Sequence, residues 1–176
     1  MSVAATELDA ERGDLLAMLA GQRRFLRYTT RDLTDEQARA RTTVSELTLG
    51  GLIKHVTAVE RSWAEFIVVG PSALGDASAM TEADWAKRQD EFRLLHGETL
   101  AGVLDAYEAT AAATTELVRT LPDLDATQPL PTAPWFPASE RWSARRSLLH
   151  IIAETAQHSG HADIIRESID GQKTMG

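Results

Sequence analysis

Three of the five histidines fall between residues 150 and 161, in the run His150-Ile-Ile-Ala-Glu154-Thr-Ala-Gln-His158-Ser-Gly-His161. At 3.6 residues per turn, positions 150, 154, 158 and 161 drift slowly around one face of a helix. Imidazole nitrogen and carboxylate oxygen are ligands for borderline divalent metals, and neighbouring turns can offer two of them to one ion. Residues four apart lie about 6 Å apart along the axis and are offset by about 40°, which suits a shared ion. His150 and His158 are about 12 Å apart along the axis, too far for one. The usable pairs are His150 with Glu154, Glu154 with His158, or His158 with His161.

A third ligand must come from another element. His55, in Leu52-Ile53-Lys54-His55-Val56, stands at the margin of a second apolar stripe, aligned with Val59, Ser62 and Phe66. It completes a three-ligand set with any of the three pairs. Three protein ligands and an open position are the pattern of a catalytic metal rather than a structural one. The competing reading is packing alone: His55 as a core histidine bonded to a carbonyl or carboxylate, His158 and His161 as a polar helix edge, Glu154 as a cap or an arginine's partner. His96, in Leu95-His96-Gly97-Glu98, has no partner in sequence and reads as a surface residue.

Composition narrows the chemistry. The chain has no cysteine, which excludes disulfides, thiolate metal sites and a cysteine nucleophile; any thiol in the reaction must come from a small molecule. The net charge of −8 argues against nucleic acid as a partner. Two arginine clusters, Arg23-Arg24-Phe25-Leu26-Arg27 and Arg141 to Arg146, are short and set among acids, so they read as solvated helix faces. Ser147 and Ser159 lie within a helix pattern and no G-x-S-x-G is present, so no nucleophilic triad is expected. Gly50-Gly51 is too little for a phosphate loop. Met1 to Glu11 has neither the basic nor the apolar region of a signal peptide. No apolar run reaches the roughly eighteen residues of a membrane span, and the cytoplasm is the expected compartment.

The elements that must position these residues are helices. Leu8, Leu15, Leu19 and Leu26 predict a first long helix from about Ala5 to Thr30, followed by a short turn capped by Thr34. A second runs from Thr48 to Gly70-Pro71 with Leu49, Leu52, Ile53, Val56, Val59, Trp63, Phe66 and Ile67 on its apolar face. Gly70 to Met80 reads as a loop, and Thr81-Glu82-Ala83-Asp84 as a capping box opening a short helix with Trp85. A third long helix is expected from about Glu98 to Leu121, and a fourth from Ala144 to Ile169, capped by Ser143 and ended by Asp170-Gly171. The proline-rich stretch Asp123 to Glu140 between them reads as an ordered loop. Trp63, Trp85, Trp135, Phe136 and Trp142 read mainly as core, with Trp135 and Phe136 able to wall a pocket. Strands are not expected to matter. The chain is expected to be all-α, one domain over 1–176, with four long helices in a four-helix bundle and short extra helices in the connections.

These residues resemble a known family. Leu52-Ile53-Lys54-His55, with Glu60 and Trp63 downstream, is similar to the first motif of the DinB-like superfamily of metal-dependent helical proteins. Leu149-His150, Glu154 and the run His158-Ser159-Gly160-His161-Ala162-Asp163-Ile164-Ile165-Arg166-Glu167 resemble its last-helix motif. The match is nearest the actinobacterial branch with an E-x-x-x-H-x-G-H-x-D core, close to the mycothiol-dependent maleylpyruvate isomerases, and it covers nearly the whole chain. The resemblance implies an up-down-down-up bundle, often a homodimer, and a divalent metal, commonly zinc or nickel. Carried onto this chain, the implied ligands are His55, Glu154 and His158. Most members have histidine where this chain has Glu154, whereas the isomerase branch keeps a glutamate. Relatives are thiol-dependent transferases or isomerases using mycothiol, bacillithiol or glutathione.

The expectation is therefore a metal-dependent transferase or isomerase acting on a small-molecule substrate with a thiol such as mycothiol. His161 or His150 would move protons, His161 would be an alternative ligand to Glu154, and nearby arginines would hold an anionic cosubstrate. A metal-dependent hydrolase fits the same residues. The alternative from another class is a non-catalytic metal- or small-molecule-binding module of a stress response.

Overall fold

The computed structural model describes residues 9–75 and 79–174. They are predominantly helical: α1 (Ala10–Tyr28), α2 (Asp35–Arg39), α3 (Leu49–Val69), α4 (Glu82–Asp90), α5 (Leu100–Thr120) and α6 (Ala144–Asp170). The expected first turn of α1, from Ala5 to Leu8, lies outside the described residues, as do residues 76–78 of the expected loop. The start of that loop is a 3-10 turn, Gly70–Ala73.

Helix starts follow from side-chain oxygens placed to satisfy the first free N–H groups. Asp9, Thr34, Thr48, Thr81, Thr99 and Ser143 each accept a hydrogen bond from the backbone N–H three residues on. Thr34 with Gln37, and Thr81 with Asp84, close reciprocal capping boxes. α6 stops at Gly171, whose φ of 77° is a left-handed conformation that a Cβ disfavours.

The proline-rich stretch is not free of strands. β1 (Thr127–Pro129) and β2 (Arg141–Ser143) pair antiparallel, Thr127 opposite Ser143 and Pro129 opposite Arg141. Strands of three residues are too short to show the two-residue alternation that announces a strand in sequence. Leu130 N–H also donates to the Glu140 carbonyl, and Ala144 N–H to that of Ala126. The pairing closes residues 131–139 into a loop carrying Trp135 and Phe136 back over the helices.

α3 packs against both α5 and α6, and α1 packs against α6. The apolar core has two clusters. One contains Leu15 and Leu19 of α1, Trp63, Phe66 and Ile67 of α3, Val118 of α5, and Leu148, Ile151 and Ile152 of α6. The other contains Leu26, then Leu49, Leu52, Ile53 and Val56, then Leu100, Val103 and Tyr107, then Ala162 and Ile165. Polar side chains lie at the level between them. Arg23 is buried, against the expectation of a solvated arginine face. Its guanidinium donates to the fully buried Glu60 carboxylate at 2.5 and 3.2 Å and to Thr115 Oγ1 at 3.0 Å. A buried guanidinium persists only when its charge and donors are matched, and Glu60 supplies the match.

Candidate metal centre

At this same mid-level α3 presents His55, 8% exposed. One face of its ring stacks on Phe92, with centroids 4.1 Å apart. Gly51, one turn earlier, makes that stack possible. A Cβ there would fall 1.8 Å from the Phe92 carbonyl oxygen, so only glycine lets the segment after α4 lie against α3. Lys54 ties the same segment down, its Nζ donating to the carbonyls of Asp90 (3.1 Å) and Arg93 (2.9 Å) and to the Glu98 carboxylate (2.7 Å).

α6 brings Glu154 and His158 to face His55. One ligand atom from each of the three residues lies within 4.8 Å of the other two. The His55 and His158 rings meet edge-on, with centroids 4.9 Å apart. His158 Nε2 is 3.6 Å from one Glu154 oxygen, and His150 Nε2 is 3.7 Å from the other. Of the three pairs open from spacing alone, Glu154 with His158 is the one that turns toward His55. Among the described residues Glu154 has no arginine partner and caps no helix; imidazoles flank it on both sides.

The residues fit a divalent cation. Two imidazoles and a carboxylate are the N and O donors that zinc and nickel accept. The His55 Nδ1 atom is buried without a hydrogen-bond partner, and the Glu91 carboxylate stands 3.7 Å away. A histidine placed only for packing would have that atom satisfied. The His158 imidazole beside Glu154 holds its carboxyl below the usual carboxylate range, burial opposing, so the group is anionic at neutral pH. Burial pushes the His150 imidazole below its ordinary value, with the Glu154 charge opposing and Arg146 adding to the shift. His150 is thus neutral near pH 7 and able to accept a proton.

A cavity of ≈ 380 Å³ opens beside these groups. His55, His150 and Glu154 border it together with the aromatic rings of Trp63, Trp135 and Phe136. That volume is in the range of small-molecule sites. A larger hollow of ≈ 1000 Å³ runs between α1 and α5, lined by Arg23, Arg24, Arg27 and Arg31, and includes no histidine.

A family model described as mycothiol-S-transferase matches residues 14–171, a span containing every group named at this site. The chain belongs to the mycothiol-S-transferase family. That family is an actinobacterial member of the DinB-like superfamily, as the motifs around His55 and His158 imply. No curated protein sequence matches the chain.

The two histidines expected to move protons separate. His150 borders the cavity, its edge against Trp63 (4.7 Å) and Trp142 (5.2 Å). His161 is not among the cavity's lining residues. It lies behind His158, with the two Nδ1 atoms 3.4 Å apart. His96 is exposed, as expected. Trp85 (43% exposed) and Trp135 (57%) are not core residues; Trp135 walls the cavity because the closed proline loop carries it there. No local pattern announces Arg88, Glu91 or Phe92, which α4 and the turn after it bring to the site. The available signal is Gly51, a glycine in a helix start that serves close backbone approach rather than a phosphate loop.

Proposed function

We propose that this protein is a divalent-metal-dependent transferase that joins mycothiol, through its sulfur, to a small electrophile. The observation that carries the reading is the convergence of His55, Glu154 and His158 at the edge of an aromatic-walled cavity, in a chain of this family. These three residues would hold a zinc or nickel ion, leaving a position open toward the cavity. Such an ion, when bound, lowers the pKa of a thiol at its open position.

The chain's own residues do the rest. His150, neutral and beside the Glu154 carboxylate, accepts the sulfhydryl proton, and that carboxylate stabilises the imidazolium that results. Trp63, Trp135 and Phe136 hold the acceptor and keep water from the nucleophile. As the sulfur–carbon bond forms, the acceptor's leaving group departs with its bonding electrons. Isomerisation and hydrolysis would use the same cluster; the family match favours transfer.

A four-helix bundle over a single domain, 1–176, running up-down-down-up, belongs to the same reading. It is supported by the order in which each long helix meets the two core clusters. α1 and α6 reach the Trp63 cluster first and the Leu52 cluster second, whereas α3 and α5 do the reverse.

The test is direct. Zinc- or nickel-loaded protein is incubated with mycothiol and monobromobimane, and the conjugate is quantified. The wild type should exceed the uncatalysed rate, with His150→Gln slower by about 10²–10⁴-fold and His55→Ala at background. Loaded protein that forms conjugate no faster than thiol alone would favour the non-catalytic binding module.

A further inference from the structure

A second cavity, ≈ 440 Å³, lies between α3 and α5, with Lys54, Thr57 and Arg61 on one wall and Thr99, Gly102 and Ala106 on the other. Both sets recur at three- and four-residue spacing, so each is one face of its helix. This cavity and the aromatic one share Ala58 and Glu91. Helix geometry accounts for the junction. Successive residues turn by about 100°, which puts Ala58 between the side bearing Thr57 and Arg61 and the side bearing Val59 and Ser62. Glu91, 3.7 Å from His55 Nδ1, marks the same border. The two cavities therefore share a border at Ala58 and Glu91, and Glu91 stands beside His55 of the metal cluster.

Their chemistry differs. None of the residues lining the second cavity is aromatic. Lys54 belongs to its frame, because all three of its N–H groups are directed to Asp90, Arg93 and Glu98. The Arg61 guanidinium and the Oε1 atom of Glu98 have no partner among the described residues. Donors and acceptors side by side suit a ligand with many hydroxyls, each of which both donates and accepts. An apolar ligand would desolvate those charges without compensation. Mycothiol has the required character: its thiol sits on N-acetylcysteine, which is joined to a glucosaminyl-inositol.

Resting on the transferase reading above, we infer that this polar cavity receives the hydroxyl-rich half of the thiol. The sulfur then reaches past Glu91 to the cluster of His55, Glu154 and His158, and the aromatic cavity is left to the acceptor. The two substrates enter from different sides of α3, so neither must leave before the other binds.

Calorimetric titration of zinc-loaded protein with mycothiol, and separately with N-acetylcysteine, tests the inference. Wild type should bind mycothiol at least tenfold more tightly than N-acetylcysteine. Arg61→Ala, which removes a donor, and Ala106→Phe, which fills the cavity, should each erase most of that difference. N-acetylcysteine affinity and melting temperature should stay as in wild type, which shows that the variants are folded with the cluster intact. Mycothiol binding undiminished in both variants would overturn the inference while leaving the transferase reading standing. A wild type that binds neither thiol would remove both.

Discussion

Glu154 is the residue on which the site turns. It sits between His150 and His158, and its anionic form is favoured by the imidazole beside it. His161 stands one step removed, behind His158. A His158 that coordinates through Nε2 carries its proton on Nδ1, and the His161 Nδ1 atom 3.4 Å away can accept it, fixing tautomer and ring orientation. His161→Ala should therefore weaken zinc binding about 10–100-fold without abolishing it, as measured by chelator competition. An unchanged affinity would return His161 to the role of a polar helix edge. At this scale the sequence was informative where chemistry is local. The spacing of Glu154 and His158 is set by one helix, so their facing a common point could be anticipated as one of three pairs. The contact of Glu91 with His55 joins two distant stretches of the chain and depends on the path of a turn that no local pattern encodes.

Among the elements, α3 carries the most structural constraint. Gly51 admits the Phe92 turn, Lys54 ties it down and His55 stacks on it. Gly51→Ala should cost about 1–3 kcal/mol in denaturant unfolding, because the clash is with backbone rather than with a flexible side chain. It should also weaken metal binding by displacing Phe92 from His55, which a mere change in helix propensity would not do. α6 is fastened to the end of α1 by Arg166, buried and donating to the carbonyls of Thr29 (2.8 Å) and Arg31 (2.6 Å) and to the Asp170 carboxylate (2.9 Å). The Arg166 guanidinium holds the Asp170 carboxyl below its ordinary value. A carboxyl with a lower pKa folded than unfolded stabilises the fold above its unfolded value, near 3.8, and ceases to do so as the pH falls through its folded value. The melting-temperature gap between wild type and Asp170→Asn should be full at pH 7 and close in strong acid. A gap independent of pH would show that the charge does not matter. Helix limits were legible because capping oxygens and the terminal Gly171 are local chemistry; β1 and β2 were not, because three-residue strands leave no pattern.

At the scale of the molecule, two apolar clusters enclose a polar level, and α3 contributes to both faces of it: Glu60 inward to Arg23, His55 toward Glu154 and His158. No described helix is long and apolar enough to cross a membrane. The apolar stripes indicated that four long helices bury a shared core, but not where the hollows between them open, since a cavity belongs to no single element. That is why Trp135, read mainly as core with a pocket wall as its other role, lies on a cavity wall. The proposed function requires α3 and α6 to hold one cation between them. The zinc content of purified protein, wild type beside His55→Ala, measures that most directly. The wild type should retain about one ion per chain after dialysis, and the variant should retain none while keeping its helical circular dichroism, because two ligands from one helix make a weak site. Equal zinc in both proteins, or none in the wild type even after loading, would contradict it.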